Sequence, residues 1–175
     1  MTALTLVGRR QARFGSNSNA NNRGRQRGAW YDGLDLKERP VTTSVDDLRK
    51  IPLFSRLSDV DLQFLATKMD EIIVPAGTAL ITEGMGNHAF FLLADGEVDV
   101  FVGGTHRRIL GPNDFFGEIS MMVLNPATAT VVTRTPVRAY VMSHPQFLEV
   151  RVHQAVMLQL KWSMGDRLSA DRKLV

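Results

Sequence analysis

The run Phe116-Gly-Glu-Ile-Ser-Met-Met-Val-Leu-Asn-Pro-Ala-Thr-Ala-Thr-Val131 constrains this chain more than any other part of it. A glycine ahead of a short helical segment lets the backbone approach an anion, and the first amides of that segment have no intrahelical acceptor. Gly117 to Ser120 supply such donors. Pro126 ends the segment, since proline donates no amide and disfavours helix in the residue before it. Thr128 adds an amide and a hydroxyl, and Glu118 a carboxylate acceptor. The bland alternative is packing: Phe115, Phe116, Ile119 and Met122 as core and Gly117 as a turn.

The flanking chain changes character twice. Ser44-Val-Asp-Asp47 reads as a helix cap with acids in the first turn, and Ser58-Asp-Val-Asp61 as a second cap. Leu62, Leu65, Ala66 and Met69 then follow at helical spacing. From Glu71 to Ser143 the pattern becomes short apolar strands broken by glycine. Phe90 to Val102 reads as two strands meeting in a hairpin at Asp95-Gly96, and Thr128–Val132 and Val137–Met142 as closing strands. Regular short strands of this kind predict a double-sheet roll or barrel.

These residues resemble the cyclic-nucleotide-binding domain family, of the catabolite-activator and protein kinase A regulatory-subunit kind. Its cassette reads roughly Phe-Gly-Glu-(Leu/Ile)-Ala-Leu, a few variable residues, then Pro-Arg-(Ala/Ser/Thr)-Ala-(Thr/Ser). Gly117, Glu118, Ile119, Pro126, Thr128, Ala129 and Thr130 stand at the matching spacing. The opening Ile51-Pro-Leu-Phe54, the glycines Gly77 and Gly96 at roll corners, and His144-Pro-Gln-Phe147 at the start of the C-terminal helices also match, so the likeness runs from about Val45 to Leu148. One position departs: where the family has its phosphate-binding arginine, this chain has Ala127. A charge-assisted contact of that kind is worth about 1.5–3 kcal/mol, so its loss weakens binding by about 10- to 150-fold. Arg107, Arg108 and Arg134 lie nearby in sequence as substitutes.

The resemblance implies a mainly β fold with flanking helices: a double-stranded, jelly-roll-like β-roll with N-terminal helices and a C-terminal helix. The expected organisation is a basic, disordered tail over residues 1–43, the roll over 44–150 and the C-terminal helix over 151–175. It also implies a ligand site at Gly117, Glu118, Ile119, Ser120, Ala127, Thr128 and Ala129, with Glu118 accepting from a ribose hydroxyl. The implied ligand is cAMP or cGMP, or another small anion, with no further cofactor. In the family the last helix covers the bound base or pairs with its twin. Val156, Leu160, Met164 and Leu168 recur on one face, Trp162 and Met164 are placed to meet a purine, and a homodimer through this helix is one expectation; packing on the chain's own roll is the other.

Composition narrows the remaining classes. With no cysteine among 175 residues, disulfides, thiolate metal sites and cysteine nucleophiles are excluded. The net charge of +3 conceals an asymmetry: residues 1–28 hold six arginines and no acid, so the rest of the chain is net −3. Within it Phe14 to Gly28, rich in Asn, Gly, Ser and Arg, cannot bury enough apolar surface to offset its ordering entropy. Its arginines suit nucleic acid or acidic lipid by charge alone, or merely keep the tail solvated. Trp30, Tyr31, Leu34 and Leu36 form a small apolar cluster suited to docking.

No apolar run approaches the roughly 20 residues of a membrane span, and a cytoplasmic location is the expectation. His88, His106, His144 and His153 show no metal-ligand spacing and read as surface imidazoles; no phosphate-loop lysine or nucleophile elbow occurs, so an enzyme is not expected. Without a helix-turn-helix after the last helix, neither is sequence-specific DNA binding. Two functions remain open: a stand-alone cyclic-nucleotide sensor, read out by an effector protein and with binding weakened or altered at Ala127, or a degenerate roll acting as an interaction or scaffold subunit.

Overall fold

Residues 41–86, 89–118, 121 and 126–161 are described by the structure, a computed structural model. Both helix starts read from the sequence are present. The Ser44 hydroxyl accepts from the Asp46 N–H at 3.2 Å, capping α1 (Val45–Arg49). Ser58 and Asp61 cap α2 (Asp59–Ala66) reciprocally, each satisfying the other's backbone amide. The Ser58 hydroxyl also donates to the Asp61 carboxylate at 2.7 Å and holds that carboxyl below its usual range. A single 3-10 turn, Pro52–Phe54, joins the two helices.

The strands are β1 (Val41–Thr42), β2 (Asp70–Val74), β3 (Ala79–Ile81), β4 (Ala89–Asp95), β5 (Val98–Val102), β6 (Thr105–Leu110), β7 (Phe115–Phe116), β8 (Thr130–Thr133) and β9 (Val137–Ser143). They form a five-stranded sheet in the order β1-β2-β9-β4-β7 and a four-stranded sheet in the order β3-β8-β5-β6. Every pairing is antiparallel. The expected mainly β roll with helices at its flanks is therefore the fold.

Three boundaries differ from the sequence reading. Asp95-Gly96 is not a hairpin: β4 and β5 lie in different sheets, and Gly96, at φ +83°, turns the chain from one to the other. The hairpin is instead β5–β6, where Val102 faces Thr105 across Gly103 and Gly104, both at positive φ as a two-residue primed turn requires. Residues 41–43, placed in the tail by the sequence reading, are part of the fold. Val41 and Thr42 pair with Glu71 and Asp70, and the buried Thr43 hydroxyl donates to the Met69 carbonyl at 2.9 Å. The C-terminal helices start where His144-Pro-Gln-Phe147 placed them, with α3 (His144–Arg151), so the last strand ends at Ser143 and the roll does not run to 150; residues 154–161 are helical again after a break at Val152–His153.

Two apolar layers hold this together. Ile72, Val74, Phe91, Leu93, Val98, Val100, Val131, Ala139 and Val141 fill the space between the sheets. On the other face of β4 and β9, Phe90, Leu92, Tyr140 and Met142 pack against Leu48, Phe54, Leu62, Leu65, Phe147, Val156 and Leu160 of the helices. The unbroken run Phe90-Phe-Leu-Leu93 is apolar throughout because β4 is buried on both faces. Val156 and Leu160 are thus covered by the chain's own roll, so these two residues do not supply a dimer face. Met164, Leu168 and Trp162 lie outside the described residues, as do residues 1–40 with Trp30, Tyr31, Leu34 and Leu36.

Candidate ligand site

Phe115 and Phe116 point to opposite sides of β7 and anchor the start of the cassette in both layers. Phe116 stacks on Phe91 between the sheets at 5.0 Å, whereas Phe115 meets Phe90 at 5.7 Å on the helical side. Phe90 in turn contacts Phe147 of α3 at 6.2 Å. Both phenylalanines are therefore core, but Gly117 does more than turn the chain. At φ +91° it has a backbone conformation that side chains rarely adopt, and it directs the chain from β7 into Glu118.

A cavity of about 90 Å³ opens beside this turn. Gly117 and Glu118 form one side, Ala127, Thr128 and Ala129 another, and Ile81, Val100, Leu110 and Val131 the apolar floor. Arg108 of β6 also lines it. Sites that envelop a whole small molecule usually reach about 300–1,000 Å³, and this cavity is smaller. Five of the expected site residues, Gly117, Glu118, Ala127, Thr128 and Ala129, are brought together here; Ile119 and Ser120 lie outside the described residues. Arg108 is the lining residue for which the sequence offered proximity but no orientation.

The wall at residue 127 is held by two backbone hydrogen bonds. The Ala127 N–H donates to the Met85 carbonyl and its carbonyl accepts from the Gly84 N–H, both at 2.8 Å. Its methyl, 5 % exposed, belongs to the core between the sheets. Farther along, the Thr130 hydroxyl accepts from the Glu83 N–H at 3.0 Å, and the Glu83 carboxylate accepts from the Gly103 N–H at 2.8 Å. The loop after β3 is thereby tied both to the cassette strand and to the β5–β6 hairpin.

The histidines lie elsewhere. His106 contacts Asp99 at 2.9 Å on the outer sheet face. His144 opens α3. His153, expected at the surface, is half-buried at the helix break: it stacks on Phe64 of α2 at 4.6 Å and approaches Asp61 at 3.4 Å. His88 lies outside the described residues. No group of three potential metal ligands occurs among the described residues, and no helix among them is long and apolar enough to cross a membrane.

Comparison with known proteins agrees with the geometry. Residues 71–153 match the family model of the cyclic nucleotide-binding domain. The chain is 34 % identical over 93 residues to the cAMP-dependent protein kinase regulatory subunit of Aspergillus niger, covering 52 % of this chain and 23 % of that one. It is similar to the regulatory domain of Toxoplasma gondii PKA, solved with cAMP: 28 % identity, TM-score 0.52, 60 % of this chain and 42 % of that one. It is also similar to the Thermus thermophilus catabolite activator protein, at 25 % identity and TM-score 0.61, over 70 % of this chain and 61 % of that one. The chain spans about a quarter of the length of the curated relatives it matches. In sequence and in fold, the β-roll of residues 71–153 thus resembles the cyclic nucleotide-binding domain family.

Proposed function

We propose that this protein is a regulatory sensor module that holds a cyclic nucleotide, cAMP or cGMP, by its phosphate end in the cavity beside Gly117, with affinity lowered by Ala127. The observation that carries this reading is the convergence of Gly117, Glu118, Ala127 and Thr128 on one small cavity. Glu118 there suits a ribose hydroxyl, and Gly117 with Thr128 suits the phosphate. The relatives it resembles are regulatory subunits, one solved with cAMP, which supports binding and readout by an effector protein in preference to catalysis. A cytoplasmic location fits the same reading.

A second reading is favoured by one feature, the apolar wall that Ala127 presents where the resemblance places an arginine. In that reading the roll is an interaction or scaffold subunit that binds no nucleotide. Titration of the full chain with cAMP and with cGMP, followed by calorimetry and by amide shifts over residues 117–130, separates the two. Saturable heats with shifts centred on Gly117, Glu118 and Thr128 support the sensor. No response to either nucleotide at millimolar concentration leaves the interaction module.

A further inference from the structure

Of the three arginines near the cassette in sequence, the fold sends only one to the cavity. Arg134 is held on the outer face of the four-stranded sheet by Asp99 at 3.2 Å and Glu97 at 3.6 Å. Arg107 falls in the register shift between the Val100–Arg108 and Phe101–His106 pairs and does not line the cavity. Arg108 stands opposite Val100 on β5, and Val100 stands opposite Val131 on β8. Residues directly opposite in antiparallel strands share a face. Val131 and Val100 are buried in the floor of the cavity, so Arg108 is the third residue of that inward row, at the exposed edge strand. Among the described residues lining the cavity it carries the one positive charge.

We propose that Arg108 supplies the cation that meets the ligand's phosphate, from β6 across the cavity, in place of an arginine at position 127. This rests on the cyclic-nucleotide reading above. A guanidinium offers a fork of donors that fits two phosphate oxygens. Its position on an edge strand lets the long side chain reach over the cavity that it lines. The chemistry needed is that of a phosphodiester anion. The apolar wall at Ala127 then forms one side of the cavity, and the counter-charge comes from the opposite sheet strand.

The test is calorimetry with cAMP on the full-length wild type, Arg108→Gln, Arg108→Lys and the double variant Arg108→Gln/Ala127→Arg. Arg108→Gln is expected to weaken cAMP binding about 10- to 150-fold. Its ligand-free melting temperature should stay within about 2 °C, as for most surface changes. Arg108→Lys should retain part of the affinity, and the double variant should regain it. Raising the salt from about 0.05 to 0.5 M should weaken wild-type binding more than that of Arg108→Gln, because the lost contact is ionic. Unchanged affinity in Arg108→Gln, or a loss with the same salt response as wild type, overturns the role of Arg108 and leaves the cyclic-nucleotide reading standing. A wild type that binds neither cAMP nor cGMP overturns both.

Discussion

Gly96 approaches Pro136 so closely that a Cβ built on the glycine would stand 2.2 Å from the proline's carbonyl oxygen. Gly77, at a nearly equal φ of +80° against +83°, has open space around the same direction. Two corners of one roll thus need glycine for different reasons: Gly77 for conformation alone, Gly96 for conformation and for contact. Gly77→Ala should cost about 1–2 kcal/mol in strain. Gly96→Ala should cost about 3 kcal/mol or more, because the atom that would have to move is backbone. Thermal melts of the two variants check this; equal losses would mean that the β4–β5 corner yields easily.

Position 127 tests the cassette itself. The Ala127 backbone is held by Gly84 and Met85 whatever its side chain, and the residue lines the cavity. Ala127→Arg should therefore place a guanidinium beside Gly117 and raise cyclic-nucleotide affinity about 10- to 150-fold. Glu118→Ala in that background should remove much of the gain by taking away the ribose acceptor. If calorimetry finds Ala127→Arg no tighter than wild type, the cavity does not receive the phosphate and the interaction-module reading gains.

The N-terminal boundary predicts a step. Deletion of residues 1–28, which bring six arginines and few apolar anchors, should leave the melting temperature within about 2 °C. Deletion of residues 1–43 should lower it clearly, since it removes the β1 pairing and the buried bond from Thr43 to Met69. A buried hydrogen bond whose acceptor is left unpaired costs about 1–3 kcal/mol.

Leu160 is 1 % exposed and packed within its own chain. Leu160→Ala is expected to cost about 2–5 kcal/mol of stability while leaving the mass measured by light scattering unchanged. A change of mass with little loss of stability would show that this residue serves an interface between copies.

Acid should weaken the link between α2 and the helix break. The hydrogen bond from Ser58, assisted by the charge of His153, keeps the Asp61 carboxyl below its usual range. A depressed folded value means that the unfolded chain takes up the proton first, so this stability is present above about pH 4 and is lost as pH falls through the folded value. Asp61→Asn should melt lower than wild type at neutral pH and show a flatter decline below about pH 4. Parallel acid limbs in the two proteins would remove Asp61 from the account.

Much was legible in the chain because it depends on neighbours in sequence. The caps at Ser44 and Ser58 are local hydrogen bonds. The helical spacing of Leu62, Leu65 and Ala66 and the alternation of β2, β5 and β8 report burial one residue at a time. The cassette spacing identified Gly117, Glu118, Ala127, Thr128 and Ala129, and these do converge.

What failed or stayed open depends on contacts between distant residues. Asp95-Gly96 carries the same local signal whether the next strand folds back on β4 or crosses to the other sheet. The choice falls to the pairing of β5 with β8 and β6, and to the space that Pro136 leaves for a glycine. The apolar face of Val156 and Leu160 required a cover, and periodicity cannot say whether a twin or the chain's own α2 and β9 provides it. Likewise the sequence placed three arginines near the cassette, but only cross-strand register decides which one faces inward. Sequence fixes which faces are apolar and where backbone turns are permitted; which faces meet is decided by burial summed over the whole roll, and that sum exists only once the chain has folded.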